Sequence, residues 1–111
     1  MKVTDICEKL ELEVLALPAP DKVVLGAYSG DLLSWVMTRL SENFAWVTIM
    51  SNINSVAVAS LSDAACIILT ENAEASEELI NKSVLEGINL FRTNKSTFEI
   101  SYLLGCVLYA E

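Results

Sequence analysis

The sequence predicts one α/β domain in which helices flank a mostly parallel sheet. Short runs of β-branched and aromatic residues alternate with amphipathic segments along the whole chain. No internal linker or repeat interrupts this alternation, so residues 1–111 are predicted to form a single domain. Because short buried strands are joined by helices, right-handed parallel crossovers are expected.

The first part of the chain predicts a short helix from Thr4 to about Leu10, with Thr4 as its N-cap. Residues 13–16 form a short extended piece. Residues 18–21 contain two prolines, which cannot continue a helix or a central strand, so a turn is expected there. Residues 22–28 are β-rich and predict the next strand.

A helix is predicted over 31–40. Its spacing indicates one buried stripe, made of Leu32, Leu33, Val36, Met37 and Leu40. Trp35 falls off this stripe. It is interpreted either as an exposed anchor for a protein partner or as part of a helix that is buried on two sides.

The second part of the chain predicts strand, helix, strand, helix, strand, helix. The nearly continuous apolar run over 44–50 is typical of a strand covered on both faces. The other elements are a turn at 51–52, a helix over 53–64, a strand over 66–70, a polar loop over 71–75, a helix over 76–86 and a strand over 88–92. The helix over 76–86 has Ser76 as its cap, Gly87 as its C-terminal signal, and an apolar side of Leu79, Ile80, Val84 and Leu85.

The last helix opens at Ser96, whose spacing from Glu99 is that of a capping box. The helix is apolar over much of its circumference, at Phe98, Ile100, Leu103, Leu104, Cys106, Val107, Leu108 and Tyr109. One stripe can cover the sheet, but the remainder would be wet in a monomer. A second packing partner is therefore predicted.

Composition and charge exclude several classes of function. The chain has 15 acidic and 7 basic residues, and its net charge is −8. Such a chain repels a phosphate backbone and has no polybasic patch, so binding to nucleic acid or to a membrane surface is not expected. No signal peptide and no membrane-length apolar run are visible, and a cytoplasmic location is predicted.

The chemistry of common enzymes is missing. The chain has no histidine, no Cys-x-x-Cys pair, no phosphate-binding P-loop and no Gly-x-Gly-x-x-Gly run. Cys7 lies between Asp5 and Glu8, which disfavour a thiolate, while Cys66 and Cys106 are predicted to be small buried hydrophobes. We therefore expect a protein that is not an enzyme and that has no cofactor and no bound metal.

Polar residues gather where the predicted strands end, and ligands of parallel α/β folds bind at that edge. The four strand ends are residues 28–31, 48–54, 70–72 and 93–97. Helix N-termini at this edge would suit a phosphate or carboxylate. Two interpretations stay open for each loop: a ligand contact, or ordinary capping and turn chemistry, in which Gly30 serves only to allow a positive φ.

The segment Gly26-Ala27-Tyr28-Ser29-Gly30-Asp31-Leu32-Leu33-Ser34-Trp35-Val36-Met37 resembles the signature of stand-alone DRTGG-domain proteins. Residues 54–63 and 96–100 also match, so the resemblance covers nearly the whole chain. The Asp-Arg-Thr-Gly-Gly string that names the family is absent. Residues 21–27 stand in its place, and Ala27 replaces the second glycine.

The resemblance implies a fold similar to the N-terminal domains of HPr kinase/phosphorylase and of Mur ligases. Related domains accompany CBS domains in regulated pyrophosphatases, where they dimerise and help to sense adenine nucleotides. A kinase activity is not implied, because the chemistry of HPr kinase belongs to a P-loop domain that this chain lacks.

Three functions follow from these observations. The first is a non-catalytic regulatory module that forms a homodimer and binds a small anion such as an adenine nucleotide. Its predicted ligand-binding residues are Tyr28, Gly30, Asp31, Thr48, Asn54, Ser96 and Thr97. The second is an interaction or scaffold subunit without a small ligand, which would dock through its last helix and Trp35. The third is a kinase- or phosphatase-related enzyme, which the missing histidine and P-loop count against.

Overall fold

Parallel pairing of short buried strands determines the architecture. The structure is a computed structural model that describes residues 1–110. Within these residues, five strands form one sheet in the order β1-β5-β4-β3-β2, in which β2 to β5 are parallel and β1 is antiparallel to β5. The strands are β1 (Glu13–Ala16), β2 (Gly26–Ser29), β3 (Phe44–Thr48), β4 (Cys66–Leu69) and β5 (Asn89–Arg92).

Helices cover both faces of this sheet, so the domain has three layers. One core joins α1 and α5 to the sheet, and the other joins α2, α3 and α4 to the opposite face. The helices of the described residues are α1 (Val3–Lys9), α2 (Leu33–Arg39), α3 (Ile53–Ser62), α4 (Glu77–Glu86) and α5 (Thr97–Leu108). The predicted α/β class and the mostly parallel sheet are confirmed.

Alternation along the central strands supplies both cores. Val47 and Ile68 point towards α1 and α5, while Trp46 and Ile67 point towards the other three helices. All four side chains are fully buried. A strand that is buried on both faces needs the continuous apolar run seen in the sequence, because neither face has room for a charged residue.

Local capping chemistry begins α3, α4 and α5, and closes α4, at the positions that the sequence predicted. The side chains of Asn52, Ser76 and Ser96 each accept a hydrogen bond from a backbone N–H in the first turn of α3, α4 and α5. Gly87 closes α4 with a left-handed φ of 71°, which glycine adopts without steric cost.

The starts of α1 and α2 differ from the prediction. Lys2 rather than Thr4 is the N-cap of α1, and its backbone N–H donates to the Asp5 carboxylate at 3.0 Å. Helix α2 begins two residues later than predicted, with Leu32 at its N-cap. Asp31 cannot extend the helix because its carboxylate is bonded to the end of β3.

Several apolar residues that were predicted to be buried lie on the outer surface. On α2 only Val36 and Leu40 of the predicted stripe are fully in the core, since Leu33 is half-buried and Leu32 and Met37 are exposed. Val84 and Leu85 of α4 and Cys106 of α5 are exposed as well. The prediction was wrong for them because a three-layer domain covers only one side of each outer helix.

The two interpretations of Trp35 can now be separated. Its side chain is 54% exposed, so α2 is not buried on two sides at this position. The Arg39 guanidinium lies 4.0 Å from the centroid of its ring, an arrangement that favours a cation–π interaction. Trp35 therefore belongs to the outer surface of α2.

We predict opposite effects of two serine substitutions. Ser83 on α4 is fully buried, and its hydroxyl makes no hydrogen bond within residues 1–110, whereas the buried Ser55 hydroxyl donates to the Met50 carbonyl at 2.8 Å. Ser83→Ala should leave the free energy of unfolding unchanged or raise it, because an unsatisfied buried hydroxyl is removed. Ser55→Ala should lower it by about 1 kcal/mol.

Urea denaturation followed by circular dichroism measures both variants. The two substitutions share the same change in helix propensity, so their difference isolates the hydrogen bond. Equal losses of stability in both variants would contradict the prediction.

Candidate functional site

The carboxyl ends of β2 to β5 meet at one edge of the sheet, because these four strands are parallel. The loops that leave this edge carry most of the predicted ligand-binding residues. Their polar side chains form two separate groups, one on each face of the sheet.

The first group joins the ends of β2 and β3. One oxygen of Asp31, Oδ1, accepts hydrogen bonds from the Thr48 hydroxyl at 2.7 Å and from the Ile49 N–H at 3.0 Å. The Thr48 hydroxyl in turn accepts from the Met50 N–H at 3.1 Å and is fully buried. Asp31 itself is exposed, which leaves its second carboxylate oxygen open to solvent. We call Asp31, Thr48, Ile49 and Met50 the Asp31 network.

Gly30 is constrained by two aromatic residues beside the Asp31 network. Its carbonyl accepts from the Trp46 indole N–H at 2.8 Å. A Cβ atom at position 30 would lie 2.8 Å from the ring of Tyr28, and its φ is not positive. The alternative that Gly30 serves to allow a positive φ is therefore wrong, and packing of the Tyr28 ring explains the glycine.

The second group lies on the face covered by α5. The hydroxyls of Thr70 and Thr97 are 2.7 Å apart, and those of Ser29 and Ser101 are 2.6 Å apart. Ser101 also donates to the Thr97 carbonyl at 2.7 Å, which links the two pairs. We call Ser29, Thr70, Thr97 and Ser101 the hydroxyl cluster.

Three members of the hydroxyl cluster were absent from the predicted set. Thr97 and Ser101 are spaced i, i+4, so both lie on one face of α5, and this signal could have identified Ser101. Ser29 and Thr70 lie two residues after Ala27 and Ile68, which face the core under α5. Side chains two residues apart in a strand point to the same face, so Ser29 and Thr70 also face α5.

The remaining predicted residues are less closely connected. The Ser96 hydroxyl accepts from the Glu99 N–H at 3.1 Å as the N-cap of α5, next to the hydroxyl cluster. Asn54 is exposed in the first turn of α3, where its backbone N–H donates to Asn52. Within residues 1–110 no hydrogen bond joins the Asn54 side chain to the other predicted residues.

A polar pocket of about 370 Å³ opens beside the carboxyl end of β5. We call it the Lys95 pocket; its lining residues are Glu11, Glu13, Asn72, Arg92, Thr93, Asn94 and Lys95. Hydrogen bonding from Arg92 lowers the pKa of the Glu13 carboxyl, so this ion pair is charged at neutral pH. None of the seven predicted residues lines this pocket.

A second cavity, of about 480 Å³, lies between the start of α3 and α4. It is partly apolar, and Ile53, Lys82 and Leu85 are among its lining residues. It also contains none of the predicted ligand-binding residues.

The cysteines do not form a reactive site within the described residues. Burial raises the pKa of the Cys66 thiol to about 12 and also raises the pKa of Cys7. Cys106 is exposed on α5, which corrects the prediction of a buried residue. None of the helices in residues 1–110 has the length and apolar character needed to cross a bilayer.

No protein-family model matches the sequence, and no curated protein matches it in sequence. A solved structure does match in fold: the CBS and DRTGG domains of the regulatory region of Clostridium perfringens pyrophosphatase, complexed with the activator diadenosine tetraphosphate. The TM-score is 0.72 at 17% sequence identity, over 92% of this chain and 45% of that chain. This chain thus spans less than half the length of its structural neighbour.

The comparison supports a fold like that of the CBS and DRTGG region, as the resemblance in residues 26–37 implied. It does not extend to the implied similarity to HPr kinase. At this level of identity the likeness concerns the fold, and the neighbour is a regulatory region rather than a catalytic domain.

We predict that the Asp31 carboxylate stabilises the fold. Asp31→Ala should lower the free energy of unfolding by about 1–3 kcal/mol, because the buried Thr48 hydroxyl and the Ile49 N–H lose their acceptor. Asp31→Asn keeps one acceptor oxygen and should cost less. Chemical denaturation measures both variants.

Asp21→Ala provides the matched control. Asp21 is exposed and forms one long ion pair with Lys2 at 3.4 Å, so its removal should change stability by less than about 0.5 kcal/mol. A loss for Asp31→Ala no larger than that for Asp21→Ala would refute the role of Asp31.

Proposed function

We propose that this chain is a non-catalytic regulatory domain that binds a small anionic ligand, such as an adenine nucleotide, and forms a homodimer. The carboxyl edge of the sheet is the proposed ligand-binding region. Its proposed contacts are Tyr28, Gly30, Asp31, Thr48, Asn54, Ser96 and Thr97.

The observation that carries this proposal is the fold shared with a regulatory region over 92% of this chain. That neighbour is a complex with diadenosine tetraphosphate, an adenine nucleotide that activates the pyrophosphatase. A shared fold supports a shared type of function only where a site exists, and the carboxyl edge of a parallel sheet is the usual place for one.

The arrangement of polar groups supports a ligand at this edge. The first turn of α5 presents backbone N–H groups next to Ser96 and Thr97, and the hydroxyl cluster lies beside it. On the other face, the half-buried ring of Tyr28 lies next to the Asp31 network and could stack on a base.

A catalytic role has no comparable support. The sequence contains no histidine and no P-loop, so a kinase of the P-loop type would lack its phosphate-binding element. The Asp31 carboxylate at this edge accepts hydrogen bonds that hold β2 and β3 together.

Nucleotide binding is tested by thermal shift with AMP, ADP, ATP and diadenosine tetraphosphate. Binding to the folded state should raise the melting temperature, since a ligand at about 100 times its Kd adds about 2.7 kcal/mol of stability. Thr97→Val removes a hydroxyl at the proposed site and should reduce the shift. Thr38→Val is the matched control, because Thr38 is exposed on α2 and bonds the Trp35 carbonyl.

The proposal of a nucleotide ligand is wrong if none of the four compounds raises the melting temperature at millimolar concentration. A shift that Thr97→Val and Thr38→Val leave equally unchanged would place the ligand elsewhere on the domain.

One observation supports the homodimer in this proposal. Phe98, Tyr102 and Tyr109 are 82%, 64% and 71% exposed, and with Cys106 they form one stripe along the outer side of α5. We call these residues the α5 stripe. Helix α5 carries a single charged residue, Glu99, while the chain as a whole carries −8. A second copy can approach this surface with less repulsion than elsewhere, so we propose the α5 stripe as the dimer interface.

Light scattering at micromolar concentration tests the dimer. We expect a mass of twice 12.1 kDa. Tyr102→Arg should give a monomer, because a charge would be buried in the interface. Leu85→Arg is the matched control, since Leu85 is 83% exposed on α4 at the opposite face. A monomeric parent protein would refute the dimer, and a monomer formed equally by both variants would refute this interface.

A further inference from the structure

The Lys95 pocket contains two opposite charges that do not pair with each other. Lys95 is half-buried and forms no ion pair with any residue that the structure describes, although four other basic residues do. Glu11 lines the same pocket and likewise has no cationic partner within residues 1–110. A pocket that holds an unpaired ammonium and an unpaired carboxylate offers two complementary binding positions.

The other charges of the pocket are already satisfied. Arg92 donates to both carboxylate oxygens of Glu13, at 2.9 and 3.1 Å, and to the Ala73 carbonyl at 3.3 Å. This bidentate ion pair joins β1 to β5 at one side of the pocket, and its two charges cancel. The charges available to a ligand are therefore those of Lys95 and Glu11.

The backbone around Lys95 is held in place before any ligand binds. The Lys95 N–H donates to the Thr93 hydroxyl at 3.2 Å, and the Lys95 carbonyl accepts from the Glu71 N–H at 2.9 Å. The Asn72 N–H donates to the Thr93 carbonyl at 2.9 Å, which fixes the neighbouring loop. A ligand that binds here pays little to order the loops, because they are preorganised.

We propose that the Lys95 pocket binds a zwitterionic α-amino acid. Its carboxylate would pair with Lys95 and its ammonium with Glu11, while the side-chain amides of Asn72 and Asn94 supply further hydrogen-bonding groups. A phosphate dianion would meet Glu11 and Glu13 as well as Lys95, and a simple cation would meet Lys95. An amino acid satisfies both free charges and adds no net charge to a chain that already carries −8.

This ligand goes beyond the proposed nucleotide and occupies a different site. None of the pocket residues belongs to the Asp31 network or to the hydroxyl cluster. The loop that carries Lys95 leads directly into Ser96 and Thr97, so the two sites are neighbours along the chain.

A titration followed by ¹⁵N NMR tests the amino-acid site, with each natural L-α-amino acid added at millimolar concentration. At least one should shift the backbone amide signals of Asn72, Asn94 and Lys95 in a saturable way. The N-acetyl and the carboxamide derivatives of that amino acid each lack one charge and should bind at least about tenfold more weakly. Lys95→Gln and Glu11→Gln should weaken binding to a similar extent.

Lys2→Gln is the matched control, because it removes one positive charge from an exposed position outside the pocket and should leave the affinity unchanged. The proposal is overturned if no amino acid produces a saturable shift. It is also overturned if inorganic phosphate or the N-acetyl derivative binds as tightly as the amino acid, since the pocket would then be a plain anion site. Neither outcome depends on nucleotide binding, which involves other residues and other compounds.

Discussion

The burial of the central strands on both faces is the constraint on which the rest of the structure depends. Trp46 and Ile67 fill one core, and Val47 and Ile68 fill the other, so β3 and β4 need a helical layer on each side. Helical crossovers between such strands make them parallel, and parallel strands end at one edge. Most of the polar groups discussed above lie at that edge because the two faces of the sheet have no solvent-accessible surface to offer.

Features that depend on neighbouring residues in the chain were predictable. The caps Ser76 and Ser96 and the C-terminal Gly87 were identified from the sequence, because a cap bonds backbone groups only a few residues away. The hydrogen bonds of Asp31 were not predicted, because its partners Thr48 and Ile49 belong to another strand and its end. The exposed Leu85 and Cys106 were also missed, because an apolar pattern does not say which side of a helix has a neighbour.

The candidate site was predicted as one cluster and is found as two. Strand alternation places Thr48 with Trp46 on one face of the sheet and Thr70 with Ile68 on the other, and only Thr70 reaches α5. The Lys95 pocket includes parts of two predicted strand-end loops, 70–72 and 93–97, but none of its lining residues was in the predicted ligand-binding set. Its wall is the pair between Glu13 and Arg92, which forms because β1 lies antiparallel to β5, and the sequence gives no sign of that partner for β1.

The two outer strands affect how the protein behaves at high concentration. β2 pairs with β3 along one side only, and β1 pairs with β5, so each leaves a row of backbone hydrogen-bonding groups unpaired. Such rows are templates for aggregation, but each is four residues long, and β1 is further interrupted by a shift of register between Val14 and Ala16. Short, irregular edges and like net charges disfavour growth of the sheet from molecule to molecule. The two edges are therefore poor templates for strand addition, and association between molecules is expected at the outer surfaces of the helices.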